Sequence, residues 1–255
     1  MQNINQILDT KFKNLLFEGI FKEPEAFRIE EALICLALDQ GLQEQIPQLS
    51  FHLTEIYAAR QKCNIEDQEL AVINLYLALH SAGAGYNPEE QQNFEASKGI
   101  QCLPGGILPL VLSCQLMDSH SVVADLGCGN GLQGLLLQTL IPHRKTIQVE
   151  LSGSMLSMGK LYQKALDLDE RIVEWRHGDI CTADLSGVDL IYMYRPVRPT
   201  GPGAVFYRSL AEKLSSLQQP VTVISVADCL KDFLGKDFFT LYHNDYLTIF
   251  SSADL

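Results

Sequence analysis

The residues best suited to chemistry fall in one short run. Asp125, Gly127, Cys128, Gly129, Gly131 and Gly134 follow the apolar residues Val122, Val123 and Ala124. A strand that feeds a glycine-dense turn brings a ligand close to bare backbone, because no Cβ intervenes and positive φ is open. Two motifs share these glycines. Gly129-x-Gly131-x-x-Gly134 is a literal dinucleotide fingerprint, and Glu150 follows Gly129 by 21 residues, near the offset of a ribose-binding acid. Asp125-x-Gly127-x-Gly129-x-Gly131 instead puts an acid next to the end of the strand, which a nicotinamide site does not need.

Two more acids stand at the ends of later apolar runs. Glu150 closes the run 146–149 and leads into Leu151 and Ser152, and Asp179 with Ile180 follows Gly178 after the run 172–175. A carboxylate at a strand end can accept hydrogen bonds from both hydroxyls of a vicinal diol. Taken in order, Asp125-x-Gly127-x-Gly129-x-Gly131, Glu150-x-Ser152-x-x-Met155-Leu156 and Gly178-Asp179 resemble the motifs of class I S-adenosylmethionine-dependent methyltransferases, over roughly residues 100–250. The resemblance implies an α/β fold with a Rossmann-like, seven-stranded, mainly parallel sheet whose last two strands form a β-hairpin. It also implies S-adenosyl-L-methionine as cofactor, while His80, His120, His143 and His243 show no metal-ligand spacing and no metal is expected. On it, Asp125, Gly127, Cys128, Gly129 and Gly131 surround the methionine end of the cofactor, Glu150 and Leu151 the ribose, and Asp179 and Ile180 the adenine. Cys128 reads as a small buried side chain beside the cofactor rather than a nucleophile.

Acceptor chemistry belongs to the residues beyond the fourth run, 188–193. Methyltransferases that act on base nitrogens often carry Asn/Asp-Pro-Pro-aromatic there, and this chain has Tyr194-Arg195-Pro196 instead. The departure points to a small-molecule or protein acceptor rather than a nucleic acid. Tyr194 and Arg195 are the candidate catalytic side chains. Arg195, Arg198 and Arg208 cluster near the expected carboxyl edge of the sheet, where they suit a carboxylate or phosphate. His177 is a turn histidine in this reading. A catalytically silent binding or scaffold protein on the same fold stands as the alternative.

The elements that must position these residues are legible from periodicity. From about residue 120, β-rich runs alternate with helical segments at 132–140, 154–166 and 204–217, which implies a parallel sheet with helices on both faces. Runs at 238–242 and 246–250 flank His243, Asn244 and Asp245 and read as a hairpin. Before residue 82 the apolar spacing is helical, with one helix over 30–42 ending in a cap-like Gly41 and an acid-rich stretch at 23–31 read as a solvated face. Residues 1–85 are expected to form a helical cap or oligomerisation element, and residues 86–255 the methyltransferase-like domain. Asn87-Pro88-Glu89-Glu90 opens the first helix of the latter. The segment 100–117, with Leu103, Pro104, Gly105 and Gly106, is similar to one that these enzymes place over the cofactor.

Composition bounds the remaining classes. The 255 residues carry 19 Lys+Arg against 31 Asp+Glu, a net charge of −12, and 47% are hydrophobic. That balance excludes disorder as the main state and opposes binding to duplex nucleic acid. Seven cysteines without a CxxC pair fit a reducing cytosol, and no basic n-region or long apolar run points to secretion or a membrane.

Overall fold

A computed structural model describes residues 4–18, 23–83, 86–96, 106–227 and 230–253. The expected cover segment falls partly outside these, at Ile100, Leu103, Pro104 and Gly105, as do Cys102 and Cys229.

The expected seven-stranded sheet is present. Its strands are β1 (Val122–Leu126), β2 (Lys145–Glu150), β3 (Val173–His177), β4 (Leu190–Tyr194), β5 (Thr222–Val226), β6 (Phe239–His243) and β7 (Leu247–Ser251), in the order β3-β2-β1-β4-β5-β7-β6. The first five pair in parallel, β7 enters antiparallel to β5, and β6 closes the edge as the other arm of the hairpin. Asn244 makes that hairpin turn by accepting from the N–H groups of Tyr246 and Leu247, 2.8 Å each. The strand order reverses direction between β1 and β4, so the carboxyl ends of these two strands form the topological switch point at which open α/β sheets bind ligands.

Buried strands in such a sheet must be apolar on both faces. Ala124, Leu126, Ile147, Val149, Ile191 and Met193 line one face and pack on Tyr207, Leu210 and Leu214 of α10 (Pro202–Ser215). Val123, Tyr192, Ile224 and Ile249 line the other, under α8 (Leu132–Leu140) and α9 (Gly153–Ala165). The amino-terminal helices α1 (Ile4–Glu18), α2 (Pro24–Leu38), α3 (Gln40–Gln45), α4 (Leu49–Lys62) and α5 (Ile65–His80), with α7 (Ile107–Ser113), add to that second layer. Leu33, Leu36, Leu75 and Tyr76 share one buried cluster with Leu110, Leu135 and Leu136. Helix α6 (Pro88–Ala96) precedes α7.

Two local expectations are corrected. Helix α2 stops at Leu38, and Gly41 lies inside α3; Asp39 makes the break by accepting from Leu42 N–H at 2.9 Å, an N-cap that wins over glycine C-capping. The acid-rich stretch is not simply solvated, since Glu30 is buried and accepts from Arg60 Nε and Nη2 at 3.2 and 2.9 Å.

The helical region is tied to the sheet by the residue between two motif glycines. Asn130 Nδ2 donates to the carbonyls of Leu79, His80 and Ala82 at 2.8, 3.1 and 2.9 Å, where α5 runs out of helical partners. Tyr162 of α9 donates to the same Leu79 carbonyl at 2.7 Å. Asn130 is 2% exposed, so water cannot replace what it supplies. Asn130→Ala is expected to lower the unfolding free energy by about 1–3 kcal/mol, read from urea denaturation followed by circular dichroism.

Candidate functional site

The turn between β1 and α8 is built by satisfying its own backbone. Gly127 N–H and Cys128 N–H both donate to the carbonyl of Val149, at 2.9 and 3.1 Å, and Gly131 N–H donates to Cys128 at 2.8 Å. Gly129 N–H donates to Glu150 Oε2 at 3.0 Å. Gly127, Gly129 and Gly131 all have positive φ, which explains the residue type at three alternate positions. A phosphate cradle needs N–H groups aimed outward, whereas these four point at β2 and into the turn. The geometry therefore opposes the dinucleotide reading of the fingerprint.

Each glycine also faces a specific neighbour. A Cβ on Gly127 would meet Pro196 Cβ at 3.1 Å and Ile180 Cδ1 at 3.5 Å, which puts the start of the loop after β4 and the segment after β3 against the turn. A Cβ on Gly129 would meet Met155 Cε at 3.6 Å. Gly131 is different: its open side is filled by the indole of Trp175, 2.5 Å from an added Cβ, and the same ring lies against Gly159. Trp175 Nε1 donates to Gln163 at 2.6 Å and fixes the ring there. Packing against Trp175 thus accounts for Gly131 independently of any ligand.

Among the acids, Asp125 is 3% exposed and accepts from Gly134 N–H at 3.1 Å, so it caps the first turn of α8 from inside the strand. Burial pushes its carboxyl up to about 7, against the pull of the Gly134 N–H and with a push from Glu150. Glu150 sits at the carboxyl end of β2, takes Ser152 N–H on Oε1 at 2.9 Å and Gly129 N–H on Oε2, and is raised above the usual carboxylate range chiefly by burial. The Leu151 N–H also stabilises this carboxylate, and with three backbone donors on two oxygens it keeps lone-pair capacity for a diol. Leu151, next in line, is half-buried and accepts from His177 Nε2 at 2.8 Å through its carbonyl. Asp179 is exposed and takes Cys181 N–H at 2.8 Å in a tight turn, while Ile180 is buried. Cys128 is buried with its thiol pushed well above its ordinary value by the loss of solvation, so it stays protonated and is no nucleophile.

Tyr194 ends β4, and Arg195 follows with φ 25°, a strained backbone for a non-glycine residue, and a buried Nε that has no partner among the described residues. Arg198 and Arg208 are exposed, and Arg208 Nε turns back onto the Ala204 carbonyl of its own helix at 3.3 Å. Of the three arginines, Arg195 is the one with a buried donor left over at the strand end. A polar group unforeseen in the sequence lies behind the turn. Tyr76 of α5 accepts from Gly106 N–H at 3.2 Å and makes a short contact with Gln133 Nε2, while Gln133 Oε1 and the Tyr192 hydroxyl are buried without partners among the described residues. Tyr192 is register partner to Asp125, which places this group directly under the glycine turn. Among the described residues no three His, Cys, Asp or Glu side chains gather as a metal site requires.

Sequence reasoning also missed Glu90. Its capping box with Asn87 was legible, and both arms are present: Asn87 Oδ1 accepts from Glu90 N–H at 2.9 Å and Glu90 Oε2 from Asn87 N–H at 3.0 Å. The same carboxylate reaches 62 residues away to Ser152 Oγ at 3.1 Å and accepts from Gly153 N–H at 2.8 Å. No local pattern announces that contact.

Comparison with known proteins found no matching family model and no matching curated protein. Solved structures similar to this chain include an RNA methyltransferase from Salinibacter ruber in complex with S-adenosyl-L-homocysteine, at 16% identity and TM-score 0.42, covering 66% of this chain and 91% of that one. TrmN from Thermus thermophilus is similar at 19% identity and TM-score 0.44, over 58% of this chain and 48% of that one. Geranyl diphosphate C-methyltransferase from Streptomyces coelicolor is similar at 16% identity and TM-score 0.38, over 46% of this chain. The chain spans only 42% of the length of that enzyme.

The raised carboxyl of Asp125 sets a sign for pH dependence. Its folded value, about 7, exceeds the ordinary 3.8, so between these limits the folded state binds more protons than the unfolded and stability falls as pH rises. Asp125→Asn removes that component. Its unfolding free energy relative to the unmutated protein is expected to rise through this interval and level off above it, in urea titrations at stepped pH.

Proposed function

We propose that this chain is an S-adenosylmethionine-dependent methyltransferase whose acceptor is a small molecule or a protein. The observation that carries the reading is Glu150: a buried carboxylate at the end of β2, held by Ser152 and Gly129 N–H groups beside a turn whose Gly127, Cys128 and Gly131 N–H groups are bonded within the protein. That arrangement suits the two hydroxyls of a ribose better than a pyrophosphate, for which four of the turn's N–H groups are already engaged.

When bound, S-adenosylmethionine supplies a methyl group already activated on a sulfonium, so the protein mainly positions and shields. Glu150 binds the ribose, Leu151 and Ile180 offer apolar surface beside it, and Asp179 stands at the adenine end. Asp125 acts indirectly, by fixing α8 and hence the turn that carries Gly127, Cys128 and Gly129. Tyr194 and Arg195 close the far side at the end of β4. Arg195 has a buried Nε–H to give an acceptor carboxylate or phosphate, and its strained backbone marks a position held for a purpose other than stability. A net charge of −12 supports an acceptor other than duplex nucleic acid.

One observation favours the silent alternative. The tyrosine hydroxyls behind the strand ends are not poised as bases, since burial pushes Tyr76 and Tyr192 up. An acceptor that arrives with its lone pair available needs no such base, and turnover separates the two cases.

Titration calorimetry of the unmutated protein is expected to show binding of S-adenosylmethionine and S-adenosylhomocysteine, with Glu150→Ala weakening both by about tenfold or more. Absence of binding overturns the proposal. Binding without methyl transfer to pooled small-molecule and protein acceptors selects the silent reading.

A further inference from the structure

We infer that Glu90 is a positioning residue for this same site: it latches helix α6 onto the turn between β2 and α9 and, through Ser152, holds Glu150 in its binding geometry. The inference rests on the proposed ribose contact of Glu150.

Ser152 joins the two acids. Its N–H donates to Glu150 Oε1 at 2.9 Å and its hydroxyl to Glu90 Oε2 at 3.1 Å, while Gly153 N–H donates to Glu90 Oε1 at 2.8 Å. The start of α9 is thus gripped by two carboxylates. One belongs to the sheet and the other to a helix 62 residues earlier in the chain. Ser152 also caps α9 by accepting from Met155 N–H at 3.3 Å, so any rotation of residue 152 disturbs the helix cap and the Glu150 bond together. Glu90 can afford this reach because its own helix is already closed by Asn87. A helix amino terminus stabilises an anion, and Glu90 meets α9 there.

Glu90 therefore does two things to Glu150. Its hydrogen bonds fix the turn, and its charge opposes ionisation of its neighbour. Burial tends to raise the Glu90 carboxyl, but the Asn87 and Gly153 N–H groups and the Ser152 hydroxyl outweigh this and hold it below the usual range, so Glu90 is an anion at neutral pH. Glu150, by contrast, is raised first by burial and further by the charge of Glu90. The other ionisable groups bearing on this region are Asp125 on β1, Cys128 in the turn and His177 on β3, while the start of α9 contributes N–H groups and the Ser154 hydroxyl, 2.9 Å from Ser152 Oγ. A diol that donates two hydrogen bonds requires the ionised form of Glu150, so affinity falls as pH drops through the Glu150 value.

The test compares Glu90→Gln, Glu90→Ala and the unmutated protein, with S-adenosylhomocysteine as the probe. Glu90→Ala is expected to weaken binding threefold to tenfold, roughly the loss of one or two charge-assisted hydrogen bonds, mainly through faster dissociation. It should also raise hydrogen exchange over residues 88–96 in the ligand-free protein. Glu90→Gln keeps the shape and removes the charge, so the pH at which affinity is half lost should move down relative to the unmutated protein. A purely structural role for Glu90 would leave that midpoint where it is. Unchanged affinity in Glu90→Ala, or an unchanged midpoint in Glu90→Gln, overturns the inference. Failure of the unmutated protein to bind the probe sinks the functional reading instead, and the exchange measurement then still decides whether the latch exists.

Discussion

One carbonyl organises the molecule. The Val149 oxygen, at the end of the second strand, receives the N–H groups of both Gly127 and Cys128, and this forces the chain leaving the first strand to turn toward the second. A buried backbone donor must find a partner, so a turn of this shape exists only where β1 and β2 are neighbours in register. From that constraint follow the positive φ values at three glycines, the approach of Glu150 to Gly129, and the direction in which α8 leaves. The turn is a joint in which the Gly127, Cys128, Gly129 and Gly131 N–H groups are all bonded within the protein.

The second dependence concerns the helices that precede the sheet. Their packing is apolar and unspecific in character, with Leu33, Leu36 and Leu75 filling space against α7 and α8. Their registration comes from polar contacts: Asn130 on the end of α5, Arg28 Nη1 on the Leu140 carbonyl at the end of α8 (2.8 Å), and Tyr76 against Gln133. Hydrophobic burial supplies the driving force but is non-directional, whereas these hydrogen bonds choose one alignment. Each of them lands on the ends of α5 and α8 or beside the glycine turn. The helical region and the candidate site are therefore aligned by the same contacts.

Much of this was legible in the sequence because it was local. Strand β1 and helix α8 fall where periodicity puts them, and the acids at the ends of the apolar runs lie at or just beyond the strand ends. The hairpin around Asn244 announced itself through turn chemistry. What escaped was long-range or competitive. Gly41 looked like a helix end until the Asp39 side chain, able to cap the next helix, moved the break. Gly131 has a packing reason for its residue type that no local pattern announces: the side a Cβ would take is filled by Trp175, a residue 44 positions later. Glu90, Asn130 and Tyr192 are ordinary residues in ordinary contexts, and only the fold gives them partners or leaves them without any.

Trp175 has one more consequence. It is the only tryptophan among the 255 residues, and its ring is wedged between Gly131 and Gly159 at the back of the glycine turn. Indole emission depends on local polarity and on nearby quenching groups, so the intrinsic fluorescence of the unlabelled protein is a single-site signal. It originates within one side chain's thickness of the turn that the rest of the structure is arranged to hold.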